Sequence, residues 1–213
     1  MPVLAYILIA LGAYLLGSIP FGFLAAKAKG IDIRSVGSGN IGATNAMRVL
    51  GKPIGITVLL LDAAKGFFAV GIGYFIAKNY GGSEIEIERV RILAGICAVL
   101  GHNYTCWLKF KGGKGIATTA GVYLALAPWP LLIALGVFIL ALVLTRYVSV
   151  GSIAGAIALP TAVWVMTPHD LLLGIVTTAL GVMAIYKHKS NIQRLMAGTE
   201  NRFGKKKSTE VAK

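Results

Sequence analysis

Long apolar runs alternate along this chain with short polar segments rich in glycine and lysine, and the run lengths predict helices that cross a lipid bilayer. A helix needs about 20 apolar residues to span the hydrocarbon core. Residues 3–26, 54–77, 92–108, 131–144, 148–166 and 171–186 read as crossings. The stretch 115–127 holds 13 apolar or small residues, about 20 Å of helix against a core of about 30 Å. It is either a short helix continuing a polar loop or a re-entrant segment, and Pro128 and Pro130 mark the turn after it. The expected fold class is all-α: a polytopic integral membrane helical bundle of about seven transmembrane helices, forming a single membrane-embedded domain over 1–213. Five or six crossings stay open.

Charge orients the bundle, because Lys and Arg accumulate in cytoplasmic loops. Lys27, Lys29 and Arg34 follow the first run, which predicts the N-terminus outside and the C-terminus in the cytoplasm. Seventeen of the 21 Lys and Arg then fall on the cytoplasmic side, three (Lys78, Arg89 and Arg91) lie in an external loop over 78–91, and Lys65 sits within a span. No basic region precedes the first apolar run, so it is expected to stay as an anchor rather than be cleaved as a signal peptide.

Composition agrees. Of 213 residues 56% are hydrophobic and only 14% charged, against roughly 25% charged in a soluble domain; the mean hydropathy is +0.76. A net charge of +13 would suggest nucleic acid in a soluble chain. Here the bias toward cytoplasmic loops accounts for it, and no nucleic-acid partner is expected. Cys97 and Cys106, nine apart on one apolar segment, read as buried thiols rather than a disulfide or zinc site.

The chemistry lies in three segments that this topology puts on one face: 35–51, 101–118 and 186–200, with a basic tail over 201–213. Residues 35–51 contain four glycines, two Ser, two Asn, one Thr and Arg48, and no acid. Glycine leaves backbone N–H groups uncovered, and successive N–H groups in front of a helix N-terminus bind anions. Asn40 is expected to cap a short helix that carries Thr44, Asn45 and Arg48 and stops at Gly51. In the second segment Lys111-Gly-Gly-Lys-Gly115 adds point charges to bare backbone, which suits phosphate. It is not a nucleotide P-loop, since Gly115 stands where Ser or Thr belongs. In the third, helical spacing puts His188 and Asn191 on one face with Arg194 a turn further on, making His188 a candidate orienter or proton-transfer group. Lys109 and Lys111 read equally well as topology-setting charges. His102 reads as structural, and His169 has no role.

Asp62 and Lys65, three apart within a span, are either functional or a mutually neutralised pair that buttresses the polar loops. The three segments hold one carboxylate, Glu200. A Mg²⁺ or Zn²⁺ site has no ligands there, so no metal and no cofactor is expected.

Three ordered motifs carry a resemblance: Gly37-Ser-Gly-Asn-Ile-Gly-Ala-Thr-Asn45 with Arg48, Gly101-His102 leading to Lys111-Gly-Gly-Lys-Gly115, and His188-x-x-Asn191-Ile-x-Arg194. With Arg146-Tyr-Val-Ser149, they resemble the bacterial acyl-phosphate:glycerol-3-phosphate acyltransferase family over nearly the whole chain. The resemblance implies transfer of a fatty acyl group from acyl phosphate to the sn-1 hydroxyl of glycerol 3-phosphate, giving lysophosphatidic acid and inorganic phosphate in the bacterial inner membrane. It implies that Ser38, Arg48, Lys114, Ser149, His188 and Asn191 bind and orient glycerol 3-phosphate, with Ser38, Lys114, His188 and Asn191 at the reacting centre. Thr44, Asn45 and the Gly112–Gly113 backbone would hold the acyl phosphate head, with Gly37, Gly39 and Asn40 as further substrate-binding residues. Partners implied are the two substrates, the bilayer and the enzyme that supplies acyl phosphate. An acyl-serine on Ser38 has no evident base, so direct transfer is expected, the proton going to His188 or to a substrate phosphate oxygen. A channel or carrier for phosphorylated metabolites is the alternative. Against it stands the lack of a hydropathy repeat between the two halves of the chain.

Overall fold

In the computed structural model, which describes residues 1–204, the chain is a helical bundle. The basic positions 205–213 of the expected tail lie outside the described residues. Among the described residues ten α-helices follow in order: α1 Val3–Ser18, α2 Phe21–Lys27, α3 Ala43–Leu50, α4 Lys52–Asn79, α5 Glu84–Asn103, α6 Ile116–Leu126, α7 Pro128–Thr145, α8 Val148–Met166, α9 Leu171–Lys187 and α10 Lys189–Met196. One 3₁₀ turn, Cys106–Leu108, precedes the Lys111–Gly115 loop.

Among the described residues, four helical segments are long and apolar enough to cross a membrane: Val3–Lys27, Lys52–Asn79, Pro128–Thr145 and Val148–Met166. Counting α9 and α10, bent by 51°, as one span gives a fifth. Helix α6 is a shorter apolar helix of 11 residues. Large apolar side chains such as Leu60, Phe75, Leu140, Val143 and Val165 point outward, as a surface facing lipid requires.

Several local expectations shift. The first run is broken at Ile19–Pro20, because proline has no N–H and pushes its predecessor out of the helical region. The carbonyls freed there are recaptured: Thr105 Oγ1 donates to Ser18 O (2.6 Å) and Lys65 Nζ to Ile19 O (2.8 Å). The loop expected over 78–91 contracts, since α5 starts at Glu84, capped by Ser83 accepting from the Glu86 N–H. A Ser-x-x-Glu capping box explains the early start. Pro128 and Pro130 sit in the first turn of α7, where a missing N–H costs nothing. Cys97 and Cys106 are half-buried free thiols rather than fully buried ones.

Helix α1 packs on α5, α4 on α5 and α6, and α8 between α7 and α9. Small residues set the closest crossings. A Cβ on Gly17 would overlap the Ala98 backbone, and one on Gly121 the Ala63 backbone. Close backbone approach of this kind is how helices associate where lipid supplies no hydrophobic drive. It brings the ends of α3, α5, α6, α8 and α9 together around one polar cavity.

Candidate active site

That cavity is lined by Ser38, Asn40, Thr44, Asn45, Arg48, Lys114, Ser149, His188 and Asn191. Segments more than 100 residues apart thus converge. Gly39, Gly112 and Gly113 line an adjoining cleft that shares Ser38, Asn40 and Lys114 with it. Gly37 faces a third opening, beside Thr44 and Arg48.

The 35–51 loop is held mainly by its own side chains. Gly37 and Gly39 adopt φ of +65° and +70°, conformations closed to most other residues. Buried Asn45 accepts from the Ser38 N–H (2.8 Å) and donates to the Ile33 and Val36 carbonyls (3.2 and 3.1 Å). Its amide is therefore committed to shaping the loop. Asn40 does not cap the short helix as expected: Gly42 is the N-cap, and Asn40 Oδ1 accepts from the Gly42 N–H (2.8 Å). Thr44, in the first turn of α3, and Arg48, four residues on, share a face at the cavity mouth. Gly51, φ +93°, ends the helix as predicted.

The lysine loop also differs from a bare-backbone cradle. The Gly112 N–H donates to Asn103 O (3.2 Å) and the Gly113 N–H to His102 O (3.0 Å). Buried donors have to be paired, and the C-terminal carbonyls of α5 are the partners within reach. The loop thus presents glycine Cα surface and the Lys114 side chain.

Lys114 Nζ donates to Asn191 Oδ1. Burial, reinforced by Arg194 and Arg48 and opposed by Glu200, brings its ammonium down to about 8. His188, between α9 and α10, is buried, with Nδ1 2.8 Å from Ala184 O. Burial and the nearby Lys114 push its imidazole to about 4, so at neutral pH it is uncharged. Nδ1–H then donates to the carbonyl and Nε2 carries a lone pair.

Three cavity groups escaped the sequence reading as site residues. Glu200 folds back from the end of α10, with Oε1 accepting from Asn191 Nδ2 (2.8 Å) and Ser149 Oγ (3.1 Å) and Oε2 from Arg194 Nε (2.7 Å). Its only signal in the sequence was its isolation as one carboxylate among basic segments. The segment behind it is tied to the α7–α8 corner, where the Phe203 N–H donates to Arg146 O (2.7 Å) and Arg202 Nε to Tyr147 Oη (3.0 Å). Asp62 and His102 line the same cavity from beneath. Asp62 Oδ1 lies 2.7 Å from Lys65 Nζ and 3.5 Å from His102 Nδ1. The expected Asp62–Lys65 pair therefore forms, and Lys65 also serves the helix break at Ile19. Among the described residues no cluster of three or more metal-ligating side chains occurs.

The cavity's two carboxylates are each already paired, Asp62 with Lys65 and Glu200 with Arg194, which leaves Arg48 and Lys114 to face an anion. Such a site at one end of a lipid-facing helical bundle defines an integral membrane protein suited to phosphorylated compounds. The glycerol-3-phosphate acyltransferase family profile matches residues 7–198, and the chain belongs to that family. Similar proteins include the glycerol-3-phosphate acyltransferases of Desulforamulus reducens (47% identical, covering 95% of this chain and 97% of the relative) and Geobacter metallireducens (51%, covering 92% and 97%). Crystal structures of PlsY (YgiH), an integral membrane glycerol 3-phosphate acyltransferase, superpose closely. The glycerol 3-phosphate form matches with TM-score 0.84 at 40% identity over 93% of this chain and 96% of that one. The lysophosphatidic acid form gives 0.81 at 39% identity, over 93% and 95%.

Proposed function

We propose that this acyltransferase moves a fatty acyl group from acyl phosphate to the sn-1 hydroxyl of glycerol 3-phosphate, releasing lysophosphatidic acid and inorganic phosphate on the cytoplasmic side of a bacterial inner membrane. One observation carries the choice of donor. The polar cavity adjoins an apolar groove between α6, α7, α8 and α9, and the two share Ile116, Phe138 and Ser152. Such a pair suits one molecule with a phosphate head and a long apolar tail. Seven crossings with the N-terminus outside complete the reading, and the 17-to-3 split of basic residues supports that orientation.

In this mechanism Arg48 and Lys114 hold the glycerol 3-phosphate dianion, while Ser38, Ser149, His188 and Asn191 orient its hydroxyl. Thr44 and the edge of the Gly112–Gly113 loop seat the acyl phosphate head, and Gly37, Gly39, Asn40 and Asn45 keep the opposing loop in shape. Lys114 stabilises the oxyanion that forms at the acyl carbon and the charge on the departing phosphate. His188, with an imidazole near 4, is a weak base. It accepts the hydroxyl's hydrogen bond and aims the oxygen, while a substrate phosphate oxygen of higher pKa takes the proton. As the ester C–O bond forms, the acyl–phosphate C–O bond breaks.

The test uses purified protein in chelator with no thioester donor. Inorganic phosphate should be released from acyl phosphate only when glycerol 3-phosphate is added, in a one-to-one ratio with lysophosphatidic acid. Release that ignores glycerol 3-phosphate, or turnover that requires a thioester, would defeat the reading.

A further inference from the structure

His102 stands out because its imidazole is buried, faces the site and has no assigned work. It is only 5% exposed, on the last turn of α5. Nδ1 points at Asp62 Oδ1 across 3.5 Å; that oxygen is held by Lys65 at 2.7 Å, whereas buried Nδ1 has no hydrogen-bond partner. Leaving such a group unpaired is costly, because it has given up water and gained nothing in return. The opposite edge of the ring abuts the glycine loop: a Cβ on Gly113 would overlap Nε2. The Gly113 N–H also donates to the His102 carbonyl (3.0 Å), which ties the loop to the helix turn that carries the ring. His102 and Asp62 line the cavity that holds Lys114 and His188.

Because the Gly112 and Gly113 N–H groups are already used, the loop needs another donor if it is to hold a phosphate. We propose that His102 is that donor: its imidazole, backed by Asp62, directs Nε2–H at the phosphate head of the acyl donor. This rests on the acyl-phosphate reading above. When a phosphate dianion binds and the ring takes up a proton, Nδ1–H is given to the Asp62 carboxylate and Nε2–H to the phosphate, which supplies the partner that Nδ1 lacks. Lys65 already neutralises Asp62 at 2.7 Å, so the added positive charge is matched by the phosphate and not by the carboxylate. Hydrogen bonds with both partners charged are the strong class. The imidazole carries its own carboxylate partner, as an orienting carboxylate does for a metal-bound histidine.

The test combines kinetics with direct binding of inorganic phosphate. His102→Gln should raise the KM for acyl phosphate and the inhibition constant of inorganic phosphate by about tenfold or more, with the KM for glycerol 3-phosphate within twofold of wild type. Asp62→Asn, which keeps the ring but removes the backing charge, should give the same split at smaller size, and it carries the test if His102→Gln does not fold. Calorimetric titration of the purified protein with inorganic phosphate should show the same loss of affinity without any turnover. A defect spread equally over both substrates marks a purely structural ring and overturns the proposal. So does unchanged phosphate affinity in both variants. Failure of the wild type to use acyl phosphate, while phosphate still binds through His102, would strike the donor assignment instead.

Discussion

The ammonium of Lys114 gives the sharpest quantitative prediction. Burial brings it to about 8, so roughly nine-tenths of the protein carries the charge at pH 7 and about one-tenth at pH 9. If the charged form is required, kcat/KM for glycerol 3-phosphate is level near pH 7 and falls through a midpoint of about 8, approaching tenfold per unit above it. Substrate titration does not imitate this limb, because a phosphate monoester loses its second proton near 6. Lys114→Arg keeps the charge at every accessible pH and should flatten the limb, whatever it does to the absolute rate. Lys114→Ala should lower kcat/KM at pH 7 by about 10²–10³, or about 2.7–4 kcal/mol of transition-state stabilisation, the usual cost of losing one preorganised donor. The assay is phosphate release across pH 6–9.5, corrected for spontaneous hydrolysis of acyl phosphate. A limb near 8 that survives in Lys114→Arg, or a Lys114→Ala variant within threefold of wild type, would refute the role.

Two further outcomes follow from the same contacts. Glu200 raises the Lys114 ammonium against the effect of burial, so Glu200→Gln should move the alkaline limb to lower pH; a limb that stays in place or moves up would separate Glu200 from Lys114. Lys65→Met strands the Asp62 carboxylate and the Ile19 carbonyl in a buried setting, and should cost about 3–5 kcal/mol. That corresponds to a fall of about 6–20 °C in the thermal midpoint in detergent. A midpoint unchanged within 2 °C would show that the pair does not hold the α1–α2 break to α4.

Much of the architecture is legible along the chain because hydropathy is a local property. The helix of 148–166 matches its apolar run end to end, and Gly51 stops α3 where expected. The early start of α5 was also written locally, in Ser83 and Glu86, but three glutamates and two arginines there obscure a helix to a hydropathy scan.

What the sequence determined by itself was the all-helical membrane class and the three polar segments that carry the site chemistry. Their convergence was an inference from charge asymmetry. The tertiary structure decided what each polar group is free to do. Loop composition cannot reveal that the Gly112 and Gly113 N–H groups are taken by the end of α5, or that Asn45 is spent on its own loop. Nor can it place the Glu200 carboxylate among Ser149, Asn191 and Arg194, or His102 between Asp62 and the glycine loop. The physical reason is one of range. A helix is selected by residues within a few turns, whereas a hydrogen bond is awarded to whichever partner the packed bundle brings within about 3 Å, and here those partners come from distant parts of the chain.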